Sequence, residues 1–227
     1  MSRWASSDRG YRRHRPSPGP LRPLRGLVKP ALVLLAAGAS RRLGECKALV
    51  DLAGSTPLER LLTAGAACDD GPALVLTGAA HDELRAALSA PVEVLRNAAW
   101  EEGRTGSVLA AHKARPGRDL CLAPVDVPLV PGRVFELLVA HWMAAGQPPR
   151  GWLAPCYRGR HGHPVVLGRE LLGDLEEALA HDPELSLRDL RQMADPLLSL
   201  ESEAPEILDD LDLPTDLARL RARCQSR

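Results

Sequence analysis

The stretch Ala31-Leu-Val-Leu-Leu-Ala36-Ala37-Gly38-Ala-Ser40-Arg41-Arg42-Leu-Gly44-Glu-Cys46-Lys47 decides how the chain is read. Its first six residues are apolar without alternation, the pattern of a strand covered on both faces. A loop of small residues follows, carrying glycines, a hydroxyl and three cationic side chains. Gly38 lets the backbone approach a ligand closely, and Gly44 permits a tight reversal. Exposed N–H groups in such a loop form an anion nest. Arg41, Arg42 and Lys47 add the charge a polyphosphate needs. The spacing is neither that of a P-loop nor the dinucleotide G-x-G-x-x-G, so those two modes of phosphate binding are excluded.

Working outward from that loop, short apolar runs alternate with helical patterns. Strands are expected at 73–76, 92–95, 120–123 and 197–200. A helix is expected after Thr56-Pro57 from the spacing of Leu58, Leu61 and Leu62. Others are expected at 81–88, 107–113, 131–145, 170–180, 187–193 and 214–222. The helix at 131–145 places Val134, Leu137, Leu138 and Trp142 on one face. Segments 152–157 and 164–167 read as two strands of a small antiparallel excursion. Strands alternating with helices in this way predict an α/β fold, mostly parallel, with helices on both faces of the sheet. Ligands of such sheets bind beyond the carboxyl ends of the strands.

Composition narrows the classes. Of 227 residues, 45% are hydrophobic, too many for a disordered chain, and no apolar run approaches the length of about 18 residues that spans a bilayer. Four Trp, two Tyr and one Phe supply little surface for stacking single-stranded nucleic acid. Residues 1–29 hold eight basic side chains and one acidic, and are rich in Arg, Pro, Gly and Ser. They read as a disordered tail, with an over-extended translation start as one origin, and residues 30–227 as one domain. That leaves 21 basic and 28 acidic residues for the domain, a net of −7, unsuited to lie along a phosphate backbone. The run at 31–37 is short and late for a secretion signal. Five scattered cysteines without a C-x-x-C pair are expected to be free thiols in a reducing cytoplasm. No nucleic-acid or membrane partner is expected.

Several other residues can carry chemistry. Asp126 follows an apolar strand, where a carboxylate can face a ligand above the sheet. Asp126 and Asp212 could converge on Mg²⁺, which takes hard oxygen ligands and commonly only one or two carboxylates. Asp209, Asp210 and Asp216 compete with Asp212 for that role, and an acidic run before a helix also serves capping. Asn97 and Ser107 are short hydrogen-bonding side chains near a helix start, suited to capping. Trp100 is expected in core packing. His161 and His163 flank Gly162, but no third Cys or His is near enough in sequence for a metal site, so this is expected to be a substrate-lining loop. Cys46 receives no role.

The opening segment resembles the signature L-A-[AG]-G-x-S-x-R-[ML]-G-x-x-K of the MobA/MocA-like nucleotidyltransferases, matching at every fixed position. Asn97-Ala-Ala-Trp100-Glu-Glu-Gly103 with the later Ser107, Val125-Asp126-Val-Pro128, Gly162-His163-Pro164 and Asp212-Leu-Pro-Thr-Asp216 resemble further segments of that family, in family order. The resemblance spans about residues 31–222 and implies a Rossmann-like three-layer sandwich. It implies that Leu35, Ala36, Ala37, Gly38 and Ser40 bind the nucleotide, Arg42 and Lys47 hold the triphosphate, and Asp126 and Asp212 bind Mg²⁺. Asn97, Ser107 and His163 become candidate contacts to the nucleotide or acceptor. The implied reaction is transfer of a nucleoside monophosphate from a triphosphate to a phosphorylated acceptor, with release of pyrophosphate. Within the family the chain looks most like the cytidylyl branch acting on molybdopterin, because Ala37 stands where guanylyl members tend to carry a second Gly, and a molybdoenzyme or its chaperone is then an expected partner. Val127 departs from the Gln often found there, and Gly106 from a common second serine. The alternatives are another small acceptor, such as a sugar phosphate, and a non-catalytic nucleotide-binding partner of a molybdoenzyme.

Overall fold

The computed structural model describes residues 28–89 and 91–225. The expected tail therefore lies outside the described residues, except for Val28 and Lys29. These two are docked on the domain: the Val28 carbonyl accepts from Gln147 Nε2, Lys29 Nζ is 2.8 Å from Asp70, and the Lys29 carbonyl accepts from Arg118 at 2.7 Å.

Among the described residues eight strands form one mixed sheet: β1 (Ala31–Ala36), β2 (Leu74–Thr77), β3 (Glu93–Arg96), β4 (Leu120–Pro124), β5 (Trp152–Tyr157), β6 (Arg160–His161), β7 (Val165–Leu167) and β8 (Leu197–Glu201). Their order is β3-β2-β1-β4-β7-β5, with β8 on the far edge of β5 and β6 pairing with the end of β5. β1 to β4 run parallel, and β7 alone among the central strands runs against its neighbours. The two segments expected to form an antiparallel excursion, β5 and β7, do pair antiparallel, and β6 adds a short third strand to it. β5 points the same way as β4 and β8, and only β6 and β7 are reversed.

Among the described residues seven helices cover the sheet: α1 (Pro57–Gly65), α2 (His81–Ala87), α3 (Arg104–Ala114), α4 (Gly132–Ala144), α5 (Arg169–His181), α6 (Leu187–Gln192) and α7 (Pro214–Gln225). α1 begins at a capping box in which Thr56 and Glu59 satisfy each other's backbone N–H groups. Leu32, Leu34 and Ala36 point to one face of β1, into a core shared with α1, α2 and α4. Ala31, Val33 and Leu35 point to the other, against α3, α5 and α6. Because β1 is buried on both faces, every residue in it is apolar. In α4 the buried face is Val134, Phe135, Leu138, Val139 and Trp142. Leu137, expected on that face, is 53% exposed because the helical turn carries it past the edge of the apolar stripe.

Right-handed crossovers send α1 and α2 over one face as the chain moves from β1 to β3, and α3 over the other as it returns to β4. The reversal leaves a crevice between the carboxyl ends of β1 and β4. A third, smaller apolar cluster closes one side of it. Leu43, Val50 and Leu52 from the segment after β1 pack on Leu211, Leu217 and Leu220 around α7.

Candidate active site

The loop after β1 is folded around Ser40. Ser40 adopts a φ of +53°, and its carbonyl accepts from Leu43 and Gly44 at 3.0 and 3.1 Å. Its Oγ accepts from the Lys47 backbone at 3.0 Å. Gly44 has a φ of +85°, the reversal expected of it. A Cβ on Gly38 would meet nothing within 4 Å, so the backbone there borders open space. On the other side Gly78 has no such room: a Cβ would stand 2.4 Å from the Ala37 carbonyl and 2.7 Å from Trp100.

That open space is a cleft of about 660 Å³ at the β1–β4 switch point. Leu35 to Gly38, Ser40, Arg41, Arg42 and Lys47 form one wall; Ser107 and Asp126 stand on the others, and Asp212 borders the same space. Cys46 also lines it. Arg42 donates to Asp212 Oδ2 at 2.8 Å, and Lys47 pairs with Oδ1 of the same carboxylate. Lys47 is 14% exposed and Asp212 31%. These cations hold the Asp212 carboxyl below its usual range, the Lys47 hydrogen bond contributing most. Asp126 stands on a short turn that follows β4. The Asp126 carbonyl accepts from Leu211 at 2.7 Å, tying the C-terminal segment to that turn.

The four competing carboxylates divide their roles. Asp216 caps the start of α7 by accepting from the Asp212 and Leu213 backbones at 3.1 and 2.9 Å. Asp209 pairs with Arg219 and Arg223. Asp210 is raised above the usual carboxylate range, first by burial of its carboxyl and then by repulsion from Asp126, Asp212 and Asp216. Only Asp212 among them borders the cleft.

Three expectations change. Trp100 lines the cleft rather than serving only the core, because Gly78 leaves a slot for its ring against the backbone after β2. Asn97 is not on the cleft wall. Its side chain is spent internally, donating to Ser107 Oγ at 3.0 Å and accepting from the Ala99 backbone at 3.1 Å. His163 does not reach the wall either. Its backbone donates to Ile207 at 3.0 Å, and a Cβ on the neighbouring Gly162 would stand 2.2 Å from the Ile207 carbonyl, so the loop is pressed against that segment. Burial lowers the His163 imidazole to about 4, with Asp126 pulling it up and Arg104 down. Sequence reading missed Arg104, whose terminal nitrogen is 3.0 Å from Asp126 Oδ2. Its place beside Gly103 in the Asn97–Gly103 segment was the available signal.

The donor set suits a divalent ion. Asp126 and Asp212 offer hard oxygens, each now held by cations, Arg104 on the first and Arg42 and Lys47 on the second. Among the described residues no three His, Cys, Asp or Glu side chains stand close enough to hold an ion by themselves. Phosphate oxygens of a ligand would have to complete its shell, as magnesium sites commonly arrange.

A cationic loop at the end of one strand, facing a carboxylate on the turn after the neighbouring strand across a switch point, defines an α/β protein whose cleft suits a polyphosphate. Residues 32–197 match the family described as MobA-like NTP transferase domain. The chain belongs to that family and is a nucleotidyltransferase. No curated protein sequence matches it. Among solved structures it is similar to Rv0371c from Mycobacterium tuberculosis H37Rv, at 24% identity, with 86% of this chain and 98% of that one covered and a TM-score of 0.68. It is also similar to a nucleotidyl transferase from Methanothermobacter thermautotroptrophicus (23%, 87% and 98%, 0.69). A third is molybdopterin-guanine dinucleotide biosynthesis protein A from Archaeoglobus fulgidus (18%, 87% and 100%, 0.68). These likenesses establish the fold. Among the described residues no helix is long and apolar enough to cross a membrane.

Proposed function

We propose that this chain is a Mg²⁺-dependent cytidylyltransferase that moves CMP from CTP to the phosphate of molybdopterin, acting in the cytoplasm. The observation that carries the proposal is that Arg42 and Lys47 share one cleft with Asp126. An oxygen of the acceptor phosphate attacks the α-phosphorus. The bond from that phosphorus to the oxygen bridging the β-phosphate breaks, and its electron pair leaves with pyrophosphate. Such a step needs in-line positioning and relief of negative charge more than a protein nucleophile.

The backbone from Leu35 to Gly38 would receive base and ribose, and Ser40 keeps the loop open for the phosphates. Arg42 and Lys47 would leave Asp212 for the triphosphate and stabilise the departing pyrophosphate. Asp126, with Asp212 once its cations have moved, would hold the ion. When bound, that ion draws negative charge from the phosphate oxygens. The Asn97–Ser107 hydrogen bond keeps Ser107 aimed at the cleft, where its hydroxyl would meet the nucleotide or acceptor. His163, kept neutral by burial, feels the charge of Asp126 and would act through it rather than touch substrate.

The choice of cytidine leans on Ala37 in Leu35-Ala-Ala-Gly38. A structure of similar fold, CMP:2-keto-3-deoxy-manno-octonic acid synthetase complexed with CTP, binds that nucleotide. Val127, which departs from the Gln often found there, is buried in the core and does not line the cleft.

Pyrophosphate release from CTP and GTP, each with Mg²⁺ and molybdopterin, tests the proposal. Turnover with CTP is expected, abolished in Asp126→Asn. Arg42→Ala and Lys47→Ala should each lose roughly 30- to 1000-fold in kcat/KM, the equivalent of about 2–4 kcal/mol. Nucleotide binding without turnover, unaltered in Asp126→Asn, would leave a binding module. Turnover with a sugar phosphate but not molybdopterin would replace the acceptor, and turnover with GTP alone would replace the base.

A further inference from the structure

Cations face the cleft from two different elements. Arg42 and Lys47 belong to the loop after β1 and share Asp212. Arg104 is the first residue of α3 and sits on Asp126. Its backbone is fixed on both sides. Gly103 before it has a φ of +117°, a conformation only glycine adopts freely, and Ser107 after it is locked to Asn97 within the fold. The side chain is half exposed and lines the cleft. Among the described residues Asp126 is the one partner of its guanidinium, so most of its five N–H donors are uncommitted.

Nucleotidyl transfer brings two anions together, and like charges at bonding distance repel strongly. The loop after β1 supplies cations for one of them. We infer that Arg104 binds the other: it holds the phosphate monoester of the acceptor at the Asp126 end of the cleft, and so makes the enzyme selective for phosphorylated acceptors. This rests on the nucleotidyl-transfer reading above. Charge decides between classes of acceptor. A carboxylate acceptor would only exchange one monoanion on Arg104 for another, whereas a phosphomonoester dianion outcompetes Asp126. The planar fork also matches phosphate oxygens two at a time, which an ammonium does not.

Isothermal titration of inorganic phosphate into the full chain, saturated with Mg²⁺ and the non-hydrolysable α,β-methylene analogue of CTP, tests this. The wild type should bind one phosphate saturably. Arg104→Ala should weaken that binding at least tenfold, Arg104→Lys less, while affinity for the analogue changes less than twofold. In turnover with molybdopterin, the acceptor KM should rise and the CTP KM stay fixed. Should Arg104→Ala fail to fold, Arg104→Gln gives the same comparison with a long neutral side chain. Unchanged phosphate binding in these variants, or an equal loss of analogue affinity, overturns the inference alone. Failure of the analogue to bind the wild type overturns the cytidylyl reading and this partition with it.

Discussion

Removing the carboxylate of Asp212 should destabilise the empty protein and, in the same measure, free Lys47. Lys47 is 14% exposed and Asp212 31%. Exposed ion pairs contribute about 0.2–1 kcal/mol, whereas breaking a fully buried pair costs about 3–5 kcal/mol. A half-buried pair falls between, and Arg42, 67% exposed, adds little. The coupling between Lys47 and Asp212 should therefore be about 1–2 kcal/mol, which for a domain of this size shifts Tm by roughly 2–8 °C. A double-mutant cycle of Lys47→Met, Asp212→Asn and the pair, read by denaturant unfolding at neutral pH, measures it. The sign with pH follows from the lowered carboxyl of Asp212. Its contribution is complete above the unfolded value of about 3.9 and lost as pH falls through the lower folded value. Saturating CTP analogue with Mg²⁺ should bring the coupling below about 0.5 kcal/mol, because Lys47 then finds phosphate oxygens instead. Coupling near zero in the empty protein, or coupling that the nucleotide leaves intact, would refute the reasoning.

His163 should make stability fall as pH drops from about 6.5 towards about 4, because its folded value lies below the unfolded one and the unfolded chain binds the proton first. His163→Gln should flatten that part of a Tm-against-pH curve. An unaltered curve would show that another group carries it. Gly78→Ala drives a methyl group into the Ala37 carbonyl and the Trp100 ring, and should cost about 1–3 kcal/mol while distorting the nucleotide loop. Gly38→Ala meets nothing and should leave stability nearly untouched while blocking the cleft. Paired unfolding and nucleotide-binding measurements separate the two, and equal losses of stability would contradict the packing argument.

Periodicity located the central strands, because burial on both faces of a sheet forces uninterrupted apolar runs as in β1 and β4, and it located the helices between them. The short, exposed β6 at Arg160–His161 left no such pattern and was missed. It also brought Arg42, Lys47 and Asp126 forward, since a strand end followed by Gly and charge is a local pattern. What it left open was whatever depends on separations beyond a few residues. Four aspartates between Asp209 and Asp216 look alike in sequence. Only the packing of Leu43 and Val50 on Leu217 and Leu220 brings Asp212, not the others, to Lys47 across 165 residues. The reversal of β7 between two parallel strands, the burial of Asn97 against Ser107, and the meeting of Arg104 with Asp126 arise the same way. Local pattern chose the elements and the loop chemistry. The crossing of the chain at the switch point chose which charges face each other, because side chains meet by the order of strands in space and not by their order in sequence.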